Sequence, residues 1–179
     1  GDVLEIDLAE KAVVVTHGVE GSHSHRLEYD HLVLGLGAVT NFFGTPGLAE
    51  RAFTMRTLRD AIALRNRIID SLEEADFECC PEVRRRVMTF VVAGGGFAGV
   101  ETVAAVHDFM HEALPHYPHL KASDVRVVLV HPGAVILPEL SATLGRYAQK
   151  KLAARGIELR LETKVKRFAA DAVELTDGT

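Results

Sequence analysis

Val91-Val92-Ala93-Gly94-Gly95-Gly96-Phe97-Ala98-Gly99-Val100-Glu101 contains one complete Gly-x-Gly-x-x-Gly, formed by Gly94, Gly96 and Gly99. The spacing alone is a weak signal, because glycine clusters arise by chance, and its flanks give it weight. Residues 87–92 (Val-Met-Thr-Phe-Val-Val) are apolar and β-prone, as in a strand buried on both faces. Residues 100–110 carry Val100, Val103, Ala104 and Met110 at helical spacing. Strand, glycine turn and helix in this order form the arrangement that receives a dinucleotide pyrophosphate. In it Gly94 permits the tight turn, Gly96 lets backbone approach phosphate, and Gly99 lets helix pack on strand. The N–H groups around Gly95, Phe97 and Ala98 then face the anion at the positive end of the helix dipole.

Working outward, residues 3–7 and 11–16 read as paired short strands, followed by a soft linker over 18–25. Residues 27–38 read as a strand ending in the glycine-rich run Gly35-Leu36-Gly37-Ala38, and 41–55 as a loop with Gly44, Pro46 and Gly47. Thr57 is placed to cap a helix over 58–75 that shows Ala61, Leu64, Ile68 and Leu72 on one face. Pro81 breaks the chain, and Arg84-Arg85-Arg86 reads as a solvated entry turn to the strand near 87–93. Beyond the glycine motif, Pro115 and Pro118 enforce a loop. A strand over 125–130, a helix over 141–155 closed by Gly156, and short strands over 157–161, 164–168 and 172–175 complete the chain. The order from residue 87 is that of an α/β fold, a Rossmann-like doubly wound dinucleotide-binding domain with an appended β-meander.

Composition bounds the partners. The 179 residues carry a net charge of −5, which gives no general attraction to nucleic acid or anionic lipid. No apolar run approaches the roughly 20 residues of a membrane helix. Cys79 and Cys80 are adjacent, which makes neither a Cys-x-x-Cys redox pair nor a metal knuckle, and a reducing, cytoplasmic setting fits them. Nine histidines raise a metal hypothesis. His107 and His111 share a helix face, with His116 and His119 close by, but His-Glu-x-x-His is absent and no metal site is expected. The chain opens on strand-like alternation without Met and closes on a strand and turn, so it reads as an internal piece of a longer protein.

The glycine motif continued into Glu101, the run 29–37 (Tyr-Asp-His-Leu-Val-Leu-Gly-Leu-Gly) and the loop 41–47 resemble two-dinucleotide-domain flavoproteins of the FAD-dependent pyridine nucleotide-disulfide oxidoreductase superfamily. Within it, residues 58–69 and the loop Tyr117-Pro118-His119-Leu120 are similar to the single-subunit, non-proton-pumping (type II) NADH dehydrogenases. The resemblance implies a central fragment. Residues 1–45 would belong to the FAD-binding domain, 46–55 to a crossover, and 56–179 to an NAD(P)H-binding domain incomplete at its C-terminus.

It further implies hydride transfer from NADH to FAD, a quinone or other acceptor, and a location peripheral to the cytoplasmic face of the inner membrane, with membrane contact made by regions outside this chain. Gly35, Leu36 and Gly37 would approach the flavin dinucleotide, and Glu101 would lie near the meeting rings. The plainer reading of Glu101 is a first-turn helix carboxylate. The chain alone is expected to be inactive, to bind NADH weakly and to dimerise through unpaired strand edges. An NAD-type fold usually ends its second strand in an acid, and here His131 stands there. A neutral imidazole could accept from the ribose 2′-hydroxyl, whereas a protonated one would favour the 2′-phosphate of NADPH, so NADPH stays possible. A ferredoxin, rubredoxin or nitrite reductase flavoprotein, or a non-enzymatic NAD(P)H-sensing module, remains the alternative; a disulfide reductase would need a cysteine pair beside the flavin.

Overall fold

The computed structural model describes residues 1–169 and 172–179, and the chain divides into two units, Gly1–Val39 and Thr40–Thr179. In the first, β1 (Val3–Asp7) pairs antiparallel with β2 (Ala12–His17), with Asp7 opposite Ala12. Their turn closes on the Asp7 carboxylate, which accepts from the N–H groups of Ala9 (3.0 Å) and Glu10 (2.9 Å).

Two expectations change here. The linker over 18–25 shortens to a turn, because β3 (His23–Glu28) pairs along β2 from His17↔His23 to Ala12↔Glu28. All six β3 residues are exposed, so the strand shows no alternation to read. It is organised by the ladder to β2. Conversely, the strand expected over 27–38 stops at Glu28. Its consecutive apolar residues suit a strand covered on both faces, yet no neighbouring strand among the described residues pairs with it, and Val33 and Val39 are 89% and 90% exposed.

In the second unit, α1 (Leu48–Arg51) adds a single turn to the loop expected over 41–55. The helix foreseen from Thr57 is α2 (Leu58–Phe77). Thr57 Oγ1 accepts from the Asp60 N–H (3.2 Å) and the Asp60 carboxylate accepts from the Thr57 N–H (2.9 Å), a reciprocal cap. The N–H groups of Thr57 and Arg56 hold that carboxyl below its ordinary range. Pro81 does not merely break the chain. It opens α3 (Pro81–Val87), whose last turn carries Arg84, Arg85 and Arg86. Proline suits that first position because the N–H it lacks would have had no helical acceptor. Val87 therefore closes a helix, and β4 begins later than expected, at Thr89 (Thr89–Ala93).

From there the order is α4 (Phe97–Ala113), β5 (Arg126–Val130), α5 (Ala142–Ala154) and β6 (Glu158–Arg160), then the antiparallel hairpin of β7 (Val165–Ala169) and β8 (Ala172–Leu175). The three-stranded sheet is parallel in the order β4-β5-β6, with Ala93 beside Val130 and Val130 beside Arg160. Advancing across the sheet in one direction by right-handed crossovers puts both crossover helices on one face. There, Val103, Val106 and Met110 of α4, Leu152 of α5 and Ile68, Leu72 and Ala75 of α2 pack with Val127 and Leu129 of β5. The opposite face, Val128 and Val130, is covered by Val165, Val173 and Leu175 of the hairpin. Each fully buried aliphatic side chain contributes about 1.5–3 kcal/mol, so β5 is the spine of the unit. The strand before the glycine motif is instead the sheet's edge among the described residues. Val91 is 37% exposed, and the expected burial of that strand on both faces is not met.

Candidate dinucleotide site

The glycine turn leaves the carboxyl end of β4. Gly94 prolongs the ladder by one bond, donating its N–H to the Val130 carbonyl (2.8 Å), and then turns with φ +110°. L-residues rarely adopt that conformation, so glycine is required there although nothing would crowd a Cβ. Gly99 is constrained by space. A Cβ on it would stand 1.8 Å from the Gly94 carbonyl oxygen, because the first turn of α4 lies directly on the glycine turn. Gly96 is the N-cap of α4 and has ordinary dihedrals (φ −77°, ψ −175°). Its Cβ would point into open space, with only Glu139 Oε1 nearby, at 3.5 Å.

No side chain caps α4 and no acid lies in its first turn. The N–H groups of Phe97, Ala98 and Gly99 have no helical acceptor, and the dipole adds roughly half a positive charge at that end. Phe97 is half exposed beside them. Glu101 is exposed and lies beyond the first turn, because the helix starts as early as Phe97. The first-turn carboxylate reading of Glu101 is thereby corrected.

Gly95 faces inward. Its N–H donates to His131 Nδ1 (3.1 Å) and its carbonyl accepts from the Leu137 N–H (2.6 Å). A Cβ on Gly95 would stand 2.8 Å from His131 Cγ and 2.9 Å from Ile136 Cγ2. His131 does lie just past β5, but the residue is 8% exposed and its ring is wedged between Gly95 and Gly133. Since Nδ1 accepts, the neutral ring carries its proton on Nε2. This clamp was invisible in the sequence. Leu137, buried with φ +55°, was equally unforeseen and holds the turn after His131 against the motif.

Gly35, Leu36 and Gly37 belong to the other unit, in an exposed stretch without regular secondary structure. A Cβ on Gly35 or Gly37 would meet nothing within 4 Å among the described residues.

Among the described residues no group of three or more His, Cys, Asp or Glu is arranged to hold a metal, and no helix is long and apolar enough to cross a membrane. Cys79 and Cys80 are free and exposed. His107 is buried on α4, stacked on His111 with ring centroids 4.1 Å apart. Burial holds its imidazole below the ordinary value of about 6.5; His111 and Arg155 add repulsion, against a hydrogen bond to the Arg155 carbonyl. A lowered value in the folded state means that the unfolded chain takes up the proton first as pH falls. This contribution to stability is therefore complete above about pH 6.5 and is lost progressively below it. Melting temperatures measured at descending pH should fall below that value, and His107→Gln should flatten the slope; an unchanged slope would refute the assignment.

A parallel βαβ unit whose glycine turn opens an uncapped helix N-terminus defines a dinucleotide-binding α/β protein. Over residues 1–179 the chain matches the model of the pyridine nucleotide-disulphide oxidoreductases, and it belongs to that family. It is 32% identical over 179 residues to the type II NADH:quinone oxidoreductase Ndh of Mycobacterium tuberculosis, a match covering 99% of this chain and 38% of that one. It is 37% identical over 147 residues to the external alternative NAD(P)H-ubiquinone oxidoreductase B2, mitochondrial, of Arabidopsis thaliana, covering 81% of this chain and 25% of that one. The chain thus spans well under half the length of these relatives. The structure of NDH2 from Plasmodium falciparum in complex with NADH superposes with a TM-score of 0.77 over 97% of this chain and 35% of that one. At 20% identity this likeness concerns the fold.

Proposed function

We propose that this chain is the NAD(P)H-binding portion, with a segment of the flavin domain, of a flavin-dependent NADH:quinone oxidoreductase. The observation that carries the reading is the uncapped N-terminus of α4 beneath open space at Gly96. The relatives' names supply the reaction. Residues 94–99 receive the pyrophosphate on backbone N–H groups, and exposed Glu101, one turn further along α4, is the side chain we place toward the nicotinamide end. FAD, when bound, supplies the two-electron acceptor for the hydride. Holding the nicotinamide still is the task left to this chain. In the same reading 1–45 is flavin-domain sequence, 46–55 the crossover and 56–179 the NAD(P)H domain. The intact protein sits peripherally on the cytoplasmic face of the inner membrane.

Anaerobic mixing of the intact protein with NADH tests the proposal, with bleaching of the flavin band and quinone-dependent reoxidation as the expected result. Saturable NADH binding to a protein without flavin would favour the sensing module instead. Association also belongs to the proposal. Exposed Val33, Leu36 and Val39 favour self-association of the isolated chain, and light scattering at micromolar concentration should report a dimer or larger species. A monomer across that range would refute it.

A further inference from the structure

We propose that His131 is the positioning residue of the glycine turn. It holds the Gly95 N–H inward, so that the pyrophosphate is received by Gly96, Phe97 and Ala98 without it; the inference rests on the dinucleotide reading of the site. The residue is buried just past β5, and its Nδ1 accepts from the Gly95 N–H at 3.1 Å. The fit is close on both sides of the ring. A Cβ on Gly95 would stand 2.8 Å from His131 Cγ, and one on Gly133 would stand 3.0 Å from Nε2, so two glycines make the slot that the imidazole fills.

The Gly95 carbonyl is held as well, by the Leu137 N–H at 2.6 Å. The peptide groups here are trans, so in each one the carbonyl and the N–H point opposite ways. In the Gly94–Gly95 peptide, the N–H turned toward His131 sets the Gly94 carbonyl against Gly99, where a Cβ would stand 1.8 Å from its oxygen. In the Gly95–Gly96 peptide, the carbonyl turned toward Leu137 sends the Gly96 N–H the other way, where it meets no acceptor among the described residues. Both carbonyls are thus taken up within the protein. The donors left over are Gly96 and the first-turn N–H groups of exposed Phe97 and Ala98, an array suited to an anion. Three successive glycines have little conformational preference of their own, and His131 supplies the one side-chain hydrogen bond to the turn among the described residues. Without that acceptor the Gly95 N–H is buried and unpaired, and the turn relieves it by rotating the Gly94–Gly95 peptide away from its present orientation.

Hydrogen exchange of the backbone amides, followed on the intact protein with and without NADH, tests this. NADH should newly protect Gly96, Phe97 and Ala98, while Gly95 is protected in both states. His131→Leu, which removes the acceptor, should expose the Gly95 amide to exchange and raise the NADH dissociation constant about tenfold. His131→Asn sets an amide oxygen near the place of Nδ1 and should restore affinity to within about threefold of the parent. Protection of Gly95 that appears only with NADH, a Leu variant that keeps the parent affinity, or an Asn variant about tenfold weaker than the parent overturns the inference while leaving the dinucleotide site standing. Should the Leu variant fail to fold, exchange in the parent and affinity in the Asn variant still decide. A parent that binds no NADH overturns the proposed function and this inference with it.

Discussion

Gly96→Val is expected to abolish measurable NADH binding while leaving the melting temperature near that of the parent. The backbone at Gly96 already has dihedrals open to any L-residue, and a Cβ there meets only Glu139 Oε1, at an ordinary 3.5 Å. The protein can therefore accept the side chain, and the isopropyl group fills the space over the first-turn N–H groups of α4. Two charge-assisted hydrogen bonds at about 1.5 kcal/mol or more each would be displaced, which weakens binding at least roughly a hundredfold. Calorimetric titration beside a melting curve checks both halves. A Val variant that binds as tightly as the parent would remove residues 94–99 from the site.

Gly99→Ala should show the reverse order of effects, with stability lost first. Its Cβ would stand 1.8 Å from the Gly94 carbonyl oxygen, and that atom is backbone, fixed by the ladder from Gly94 to Val130. Relief requires α4 to move off the turn, carrying Val103, Val106 and Met110 away from the shared core. Overpacking of this kind costs about 3 kcal/mol or more, a fall of roughly 6–12 °C in melting temperature for a unit of this size. An unchanged melting curve would mean that the helix start is looser than its packing indicates. The two neighbouring glycines thus separate binding from folding: one faces the ligand and the other faces the chain.

Much of this was legible in the residues themselves. Thr57 announces a helix start because capping is local chemistry within one turn, and α2 begins where it stands, with Asp60 completing the cap. The reciprocal spacing of Gly94, Gly96 and Gly99 after an apolar strand marks the turn for the same reason. The periodicity of 141–155 with Gly156 behind it marks α5, whose chain turns out of the helix at Gly156 with φ +92°. Elements that depend on a distant partner read poorly. His23–Glu28 is a strand only because β2 is beside it, and 27–38 looks like a strand but lacks a partner among the described residues. Val87 reads as strand by composition and ends a helix because Pro81 and Arg84 set the register of α3.

By itself, then, the order of amino acids determined the α/β class, the starts of α2 and α5 and the glycine turn, since each follows from interactions within a few residues. Tertiary structure alone decided which glycine faces what. Gly95 meets His131 across 36 positions of sequence, and Leu137 binds back to Gly95 from further still. It also decided that His131 is turned inward and that Glu139 is brought beside Gly96. Such pairings depend on how β5 and its following loop pack against the motif, and no local propensity encodes a contact between residues so far apart in the chain.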